Sequence, residues 1–254
     1  MSNDLFPIVF EDDDWLVVHK PADLVCHPTK GDARSSLISR VRLYLGPGSA
    51  PQFVNRLDRE TSGLVVCAKH AAAARDLRRI WESRQVTKRY LAIVHGNPVA
   101  PTGWITAPLG PDPDSPVAIK DRVRPDGAPA ETRWEKIGVF RRAEGEFALL
   151  RVEPLTGRKH QIRIHLAHGG HPVVGDKLYG GDEQAYLALV ERRLTEAQRQ
   201  RLILPCQALH AAELEFVWRG ETRRFKSAPE AWFVEFLPPE LRTDIGLGRP
   251  VAAA

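Results

Sequence analysis

Two apolar runs of strand length open the chain, residues 6–10 and 15–18, joined by the acidic turn Glu11, Asp12, Asp13, Asp14 and followed by a change of direction at Pro21. Residues 35–45 read as a helix ended by Gly46, Pro47 and Gly48. Leu64 to Ala68 form a short apolar run with two valines at its centre, which fits a strand covered on both faces. In residues 70–84 the apolar Ala74, Leu77, Ile80 and Trp81 recur at helical spacing, and the opposite face carries Arg75, Arg78, Arg79 and Arg84. Residues 87–94 have the aromatic and β-branched content of a strand, and 147–153 alternate as another. Between them, residues 95–130 are rich in Pro, Gly and Asp and read as loops and short hairpins. Residues 182–205 form a polar, basic, helix-prone insertion with a partial apolar stripe. Residues 209–218 alternate at Leu214, Phe216 and Trp218 and, with Arg219 and Gly220 as turn, predict a hairpin with 222–226. The segment after Pro238 and Pro239 is expected to be frayed or loosely packed.

One stretch resists its own periodicity. Ile162, Ile164 and Leu166 alternate like a strand, whereas Thr156-Gly157 before them and Gly169-Gly170 after them argue for a capped helix.

Composition narrows the class. With 254 residues and a hydrophobic fraction of 43%, the chain can bury an ordinary core. Its net charge of +4 suits a polyanionic partner without requiring one. Cys26, Cys67 and Cys206 are too few and too widely spaced for a disulfide framework or a zinc pattern, so free thiols in a reducing compartment are expected. The N-terminus lacks a basic region before an apolar one, and no run approaches membrane-spanning length. A cytoplasmic location is therefore the expectation.

Two stretches carry candidate chemistry. Asn55-Arg56-Leu57-Asp58-Arg59-Glu60 is a charged loop set directly before the buried run 64–68. Asp58, flanked by two guanidinium groups, would be held ionised and so suits a nucleophile or general base. Taken alone, the loop favours the simpler reading of a carboxylate capping a turn amide. In the second stretch His160, His165, His168 and His171 are interleaved with Arg158, Lys159 and Arg163. Cations so placed repel a divalent metal, and no cysteine or carboxylate completes a ligand set, so contact with phosphate or a base is expected and metal binding is not.

Arg56-Leu57-Asp58 with Thr61-Ser62-Gly63-Leu64, an apolar strand and Ala68-Lys69 resembles the signature of the RluA-type pseudouridine synthases. Further segments are similar to that family in the same order: Lys20-Pro21 and His27-Pro28, Lys88-Arg89-Tyr90, Thr156-Gly157-Arg158 with His160-Gln161-Ile162-Arg163 and His165, then Gly170-His171-Pro172, Gly175-Asp176, Tyr179-Gly180 and Leu209-His210-Ala211. The resemblance spans roughly residues 6–236, and it decides the ambiguous stretch in favour of a helix.

It implies an α+β fold: a single pseudouridine-synthase-like catalytic domain over 6–237, containing the insertion 182–205, between short tails 1–5 and 238–254. A long, mostly antiparallel mixed sheet with flanking helices would carry a central RNA-binding cleft, with no room upstream for a small RNA-binding domain. The implied reaction turns a uridine of ribosomal or transfer RNA into pseudouridine, without metal or nucleotide cofactor, on a monomer. Asp58 would be the catalytic carboxylate, Tyr90 would stack on the extruded uracil, and Arg163 would pair with Asp58. Arg56 would fill the space the base leaves, while Asn55, Arg158, His160, Gln161 and His165 would contact substrate. Asn55 stands where relatives have histidine, which puts that contact in question. Two other readings remain: a hydrolase sharing acid and base work between Asp58 and Glu60, and a non-catalytic RNA-binding protein on the same fold.

Overall fold

The structure is a computed structural model that describes residues 5–28 and 35–244. Most of the expected N-terminal tail, and residues 245–254 of the C-terminal one, lie outside that range. In chain order the elements are β1 (Ile8–Glu11), β2 (Trp15–Lys20), α1 (Leu37–Leu45), β3 (Gln52–Phe53), β4 (Ser62–Ala68), α2 (Ala71–Glu82), β5 (Val86–His95) and β6 (Thr102–Thr106). They continue with β7 (Leu109–Pro111), β8 (Asp121–Val123), β9 (Glu131–Arg142), β10 (Gly145–Pro154), α3 (Gln161–His168), α4 (Gln184–Val190), α5 (Glu196–Leu202), β11 (Leu209–Trp218), β12 (Glu221–Lys226), α6 (Ala231–Phe236) and α7 (Pro239–Asp244).

The chain has the expected α+β architecture, a ten-stranded sheet in the order β1-β2-β4-β11-β5-β10-β9-β6 with β12 on β11 and β3 on β4; β7 and β8 form a separate hairpin. Pairing is antiparallel except between β4 and β11, where two parallel pairs, Ser62 with His210 and Gly63 with Ala211, join the halves of the sheet. Here the backbones approach so closely that a Cβ on Gly63 would lie 2.3 Å from the Ala211 carbonyl oxygen, and Gly63 has φ +115°. Only glycine fits such a crossing. The charged loop 54–61 enters the sheet at this junction.

Alternation along β2 and β4 sends residues to two cores, as the continuous apolar run predicts. Leu16, Val18, Val65 and Cys67 pack with Leu37, Ile38 and Val41 of α1 on one face. Trp15, Val17, Leu64 and Val66 pack with Ala73, Ala74 and Leu77 of α2 on the other. A third core gathers Ile93 and Val94 of β5, Leu149 and Leu150 of β10, Ile162 of α3 and Phe233 of α6. Ser36 caps α1 by accepting from the Ser39 amide at 3.3 Å.

The pattern and the structure part company in three places. Strand β9, twelve residues long, gives little signal because few of its positions are fully buried. Stretch 156–168 is helical only from Gln161. Beyond Pro238, where a frayed tail is expected, α7 packs Leu241 against Gly138 of β9, a site that is open because glycine has no Cβ. The insertion 182–205 folds as α4 and α5 and is tied to the β7–β8 hairpin, with Glu183 accepting from Lys120 and from Ser115, each at 2.7 Å.

Candidate active site

Loop 54–61 joins β3 to β4 and is held from several sides. The Asn55 side chain accepts from the Val66 amide at 2.8 Å and donates to the Leu64 carbonyl at 3.1 Å, tying the loop to its own strand. The Cys26 thiol lies between the Leu57 carbonyl and amide, at 3.5 and 3.4 Å. Lys20, wholly buried, donates to the carbonyls of Pro21, Leu24 and Arg59 at 2.7, 2.8 and 2.9 Å. Gln207 donates to the Thr61 hydroxyl at 2.6 Å. Glu60 turns inward to pair with buried Lys177 at 2.7 Å. These supports come from β2, its following turn, the segment after α3 and the chain before β11, so the loop's conformation is a property of the assembled sheet.

Asp58 alone of the loop's acids faces outward. Its Oδ2 accepts from Arg163 Nη1 at 2.7 Å, and the same guanidinium grips Asp176 with two bonds, Nε to Oδ2 at 2.7 Å and Nη2 to Oδ1 at 2.8 Å. Asp176 Oδ1 also accepts the amides of Leu178 and Tyr179 at 2.9 and 3.0 Å, and Arg163 stacks on the Tyr179 ring with its guanidinium carbon 5.0 Å from the centroid. Burial would raise the Asp58 carboxyl, but Arg163, by charge and hydrogen bond, together with His160 outweighs it and holds the group below the usual carboxylate range. For Glu60 the balance is reversed: burial exceeds the pull of Lys177 and pushes that carboxyl up. Arg59, expected beside Asp58, instead swings out to Asp23 at 2.7 Å. The charge that holds Asp58 ionised is therefore supplied by Arg163, 105 residues away.

Asp58 opens into a cleft of about 640 Å³ whose described lining includes Arg56, Lys88, Arg158, Lys159, His27 and Tyr90, with Asp58 its only acid among those residues. Tyr90 sits on β5 between Val152 of β10 and Ala211 of β11, so its ring stands in the centre of the sheet. Burial and then the charge of Asp58 raise its phenol and keep it protonated. Among the described residues no group of three or more His, Cys, Asp or Glu side chains forms a metal-holding cluster, and no helix is long and apolar enough to cross a membrane.

Residues 14–168 match the protein family described as RNA pseudouridylate synthase. The chain belongs to that family, a class of RNA isomerases. It is 40% identical over 208 residues to an uncharacterized RNA pseudouridine synthase of Chloroflexus aurantiacus, a match covering 78% of this chain and 57% of that protein. It is 38% identical over 247 residues to the Ribosomal large subunit pseudouridine synthase D of Vibrio cholerae, covering 95% of this chain and 72% of the relative. The chain thus spans a little over half the length of the first relative and under three quarters of the second. Among solved structures, Human RNA Pseudouridylate Synthase Domain Containing 1 superposes with a TM-score of 0.70 at 27% identity, over 94% of this chain and 87% of that one.

Within this pseudouridine synthase fold the sequence candidates separate into two groups. Asp58, Tyr90, Arg163, Arg56, Arg158 and His160 meet at the cleft. Asn55 and Gln161 border it, but their polar ends are spent on protein. Gln161 accepts from the Thr156 hydroxyl and the Arg158 amide, at 2.7 and 3.0 Å, and donates to Glu131 and Thr132, at 2.8 and 3.0 Å. His165 is wholly buried, bonded to Thr132 at 2.8 Å and to the Ala107 carbonyl at 2.9 Å. The structure therefore corrects the expectation of substrate contact for His165: a helix sends successive residues to different faces, and Arg163 and His165 are two apart. Lys120, Arg122 and Arg124, in the Pro- and Gly-rich stretch, pair with Asp112, Asp114, Asp126 and Glu183. Asp176 and Tyr179 lay in quoted motifs, Gly-Asp and Tyr-Gly, yet nothing local in the sequence announces that they support Arg163.

Proposed function

We propose that this chain isomerises a specific uridine of a structured RNA to pseudouridine, with Asp58 as the catalytic carboxylate. What carries the reading is one ionised carboxylate, Asp58, bonded to Arg163 at 2.7 Å and exposed to an otherwise basic cleft that also holds Tyr90. A uridine stacked in RNA cannot reach such a recess without being flipped out, at a cost of a few kcal/mol. Arg56, exposed at the cleft, is placed to stack in the vacated position, and Tyr90 to receive the uracil face. Arg158, Lys159 and Lys88, all lining the cleft, bind flanking phosphates.

Names of relatives such as the Vibrio enzyme favour ribosomal over transfer RNA as the target. The protein acts as a monomer in the cytoplasm on this reading, and the residues around the Asp58 carboxylate suffice without a cofactor. The hydrolase alternative needs a second carboxylate across the bond, and Glu60 is turned into the interior towards Lys177.

The test is a map of pseudouridine in total RNA from cells with the wild-type gene, without it, and with Asp58→Asn. A uridine modified only with the wild-type gene is expected. RNA binding that persists in Asp58→Asn without any change in the three maps, in cells and with purified protein on the candidate RNAs, would favour the non-catalytic reading instead.

A further inference from the structure

His160 Nε2 lies 3.9 Å from Asp58 Oδ1, the carboxylate oxygen that Arg163 does not hold. The residue has a left-handed backbone, φ 55°, immediately before α3, a conformation that tertiary contacts must maintain in a non-glycine. Its other ring nitrogen, Nδ1, is 2.9 Å from the Tyr179 hydroxyl. That hydroxyl already accepts the Asp121 amide at 3.2 Å, and among the described hydrogen bonds His160 Nδ1 is the acceptor left for its one proton. The Tyr179 ring is itself fixed beneath Arg163, so the hydroxyl oxygen is held in place beside His160.

We propose that His160, locked by Tyr179 with its proton on Nε2, is a positioning residue that sets the orientation of Asp58. With Nδ1 accepting from Tyr179, the imidazole aims an N–H dipole at Asp58 Oδ1. The opposite tautomer would aim a lone pair at the carboxylate and repel it. At 3.9 Å the N–H attracts without forming a hydrogen bond. Oδ1 thus keeps its lone pairs for the reacting sugar or base while the carboxylate plane is steered from both ends, by Arg163 at Oδ2 and by His160 at Oδ1. The inference rests on the catalytic reading of Asp58, and it adds Tyr179 to the residues on which turnover depends.

The test combines ring spectra with kinetics. Full-length protein labelled with 15N in its histidine rings is examined by long-range 1H–15N correlation near neutral pH, as wild type and as Tyr179→Phe. One ring protonated at Nε2 and bare at Nδ1 is expected to become a tautomer mixture in Tyr179→Phe. On an RNA substrate, Tyr179→Phe is expected to lower kcat about tenfold with KM changed less than about twofold, as for a group acting only on the reacting carboxylate. His160→Gln, whose amide can present an N–H in the same direction, should retain several-fold more activity than His160→Ala. A His160 ring protonated at Nδ1, or wild-type kcat in Tyr179→Phe, overturns the proposal. Were the wild-type protein to modify no RNA, the catalytic reading would fail by itself, and the ring spectra would still decide the tautomer.

Discussion

Loop 54–61 and the β7–β8 hairpin with its flanks are both crowded with charge, and they are held in opposite ways. In the hairpin Arg122 meets Asp112 and Asp114, Arg124 meets Asp126 and Lys120 meets Asp112, all close in sequence, and Lys120 alone of these three cations reaches further, to Glu183. The pairs of Arg122 with Asp114 and of Arg124 with Asp126 are largely solvated and add little. In the Asp58 loop no such local cancellation occurs: Arg59 leaves for Asp23, Glu60 for Lys177, and Asp58 for Arg163. Its supports are buried, among them Lys20, Gln207 and Cys26. A cluster that mostly neutralises itself leans little on its neighbours, whereas one whose charges point three ways is fixed only by the rest of the fold, and one acid can then be left poised toward a cleft.

The sharpest test of that difference removes the distant partner. Arg163→Met should abolish detectable modification and destabilise the protein by roughly 3–5 kcal/mol, because Asp176, with no exposed side chain, is left charged and unpaired. Denaturant unfolding and a single-turnover assay would check it. A variant of wild-type stability would mean that the Asp58–Arg163–Asp176 chain is not what holds the site.

A middle-sized effect is expected at Lys20. Burial, which outweighs the neighbouring anionic groups, pushes its ammonium down from the ordinary 10.5 to about 8. Between those values the unfolded chain retains a proton that the folded chain has released, so stability rises with pH by up to about 1.4 kcal/mol per unit. Lys20→Met should be less stable overall, since three loop carbonyls lose their donor, and should lack that slope. Unfolding midpoints of both proteins at about pH 7.5 and about pH 9.5 measure it; parallel pH dependences would show that burial does not lower the Lys20 ammonium from its ordinary value.

The smallest effect is expected in the hairpin. Arg122→Ala should leave the unfolding midpoint within error of wild type and modification within about twofold, as an exposed pair predicts. A large loss of RNA affinity there would show that the hairpin's charges serve substrate after all, and the contrast between the two loops would dissolve.

Local pattern made much of this molecule legible. The apolar run 64–68 becomes a strand packed on both faces because five consecutive apolar residues can be buried only between two layers. The spacing of Ala74, Leu77, Ile80 and Trp81 becomes α2 because one side of a helix must face the sheet. Asp58, Tyr90 and Arg163 stood out through ordered motifs, and they meet at one cleft. Strand β9 stayed hidden since half-buried positions give weak alternation, and α7 because its docking depends on Gly138, about a hundred residues earlier in the chain.

What the sequence by itself determined is most of the elements, the family and the candidate acid, all of which follow from short-range periodicity and from residues adjacent in the chain. The tertiary structure alone decided which neighbour matters. It turned Arg59 and Glu60 away from Asp58, spent Asn55, Gln161 and His165 on the protein's own backbone and hydroxyls, and brought Arg163, backed by Asp176 and Tyr179, to the carboxylate. The physical reason is that an ion pair or a hydrogen bond depends on distance in space, and the close crossing at Gly63 and Ala211, with the burial on either side of it, sets those distances.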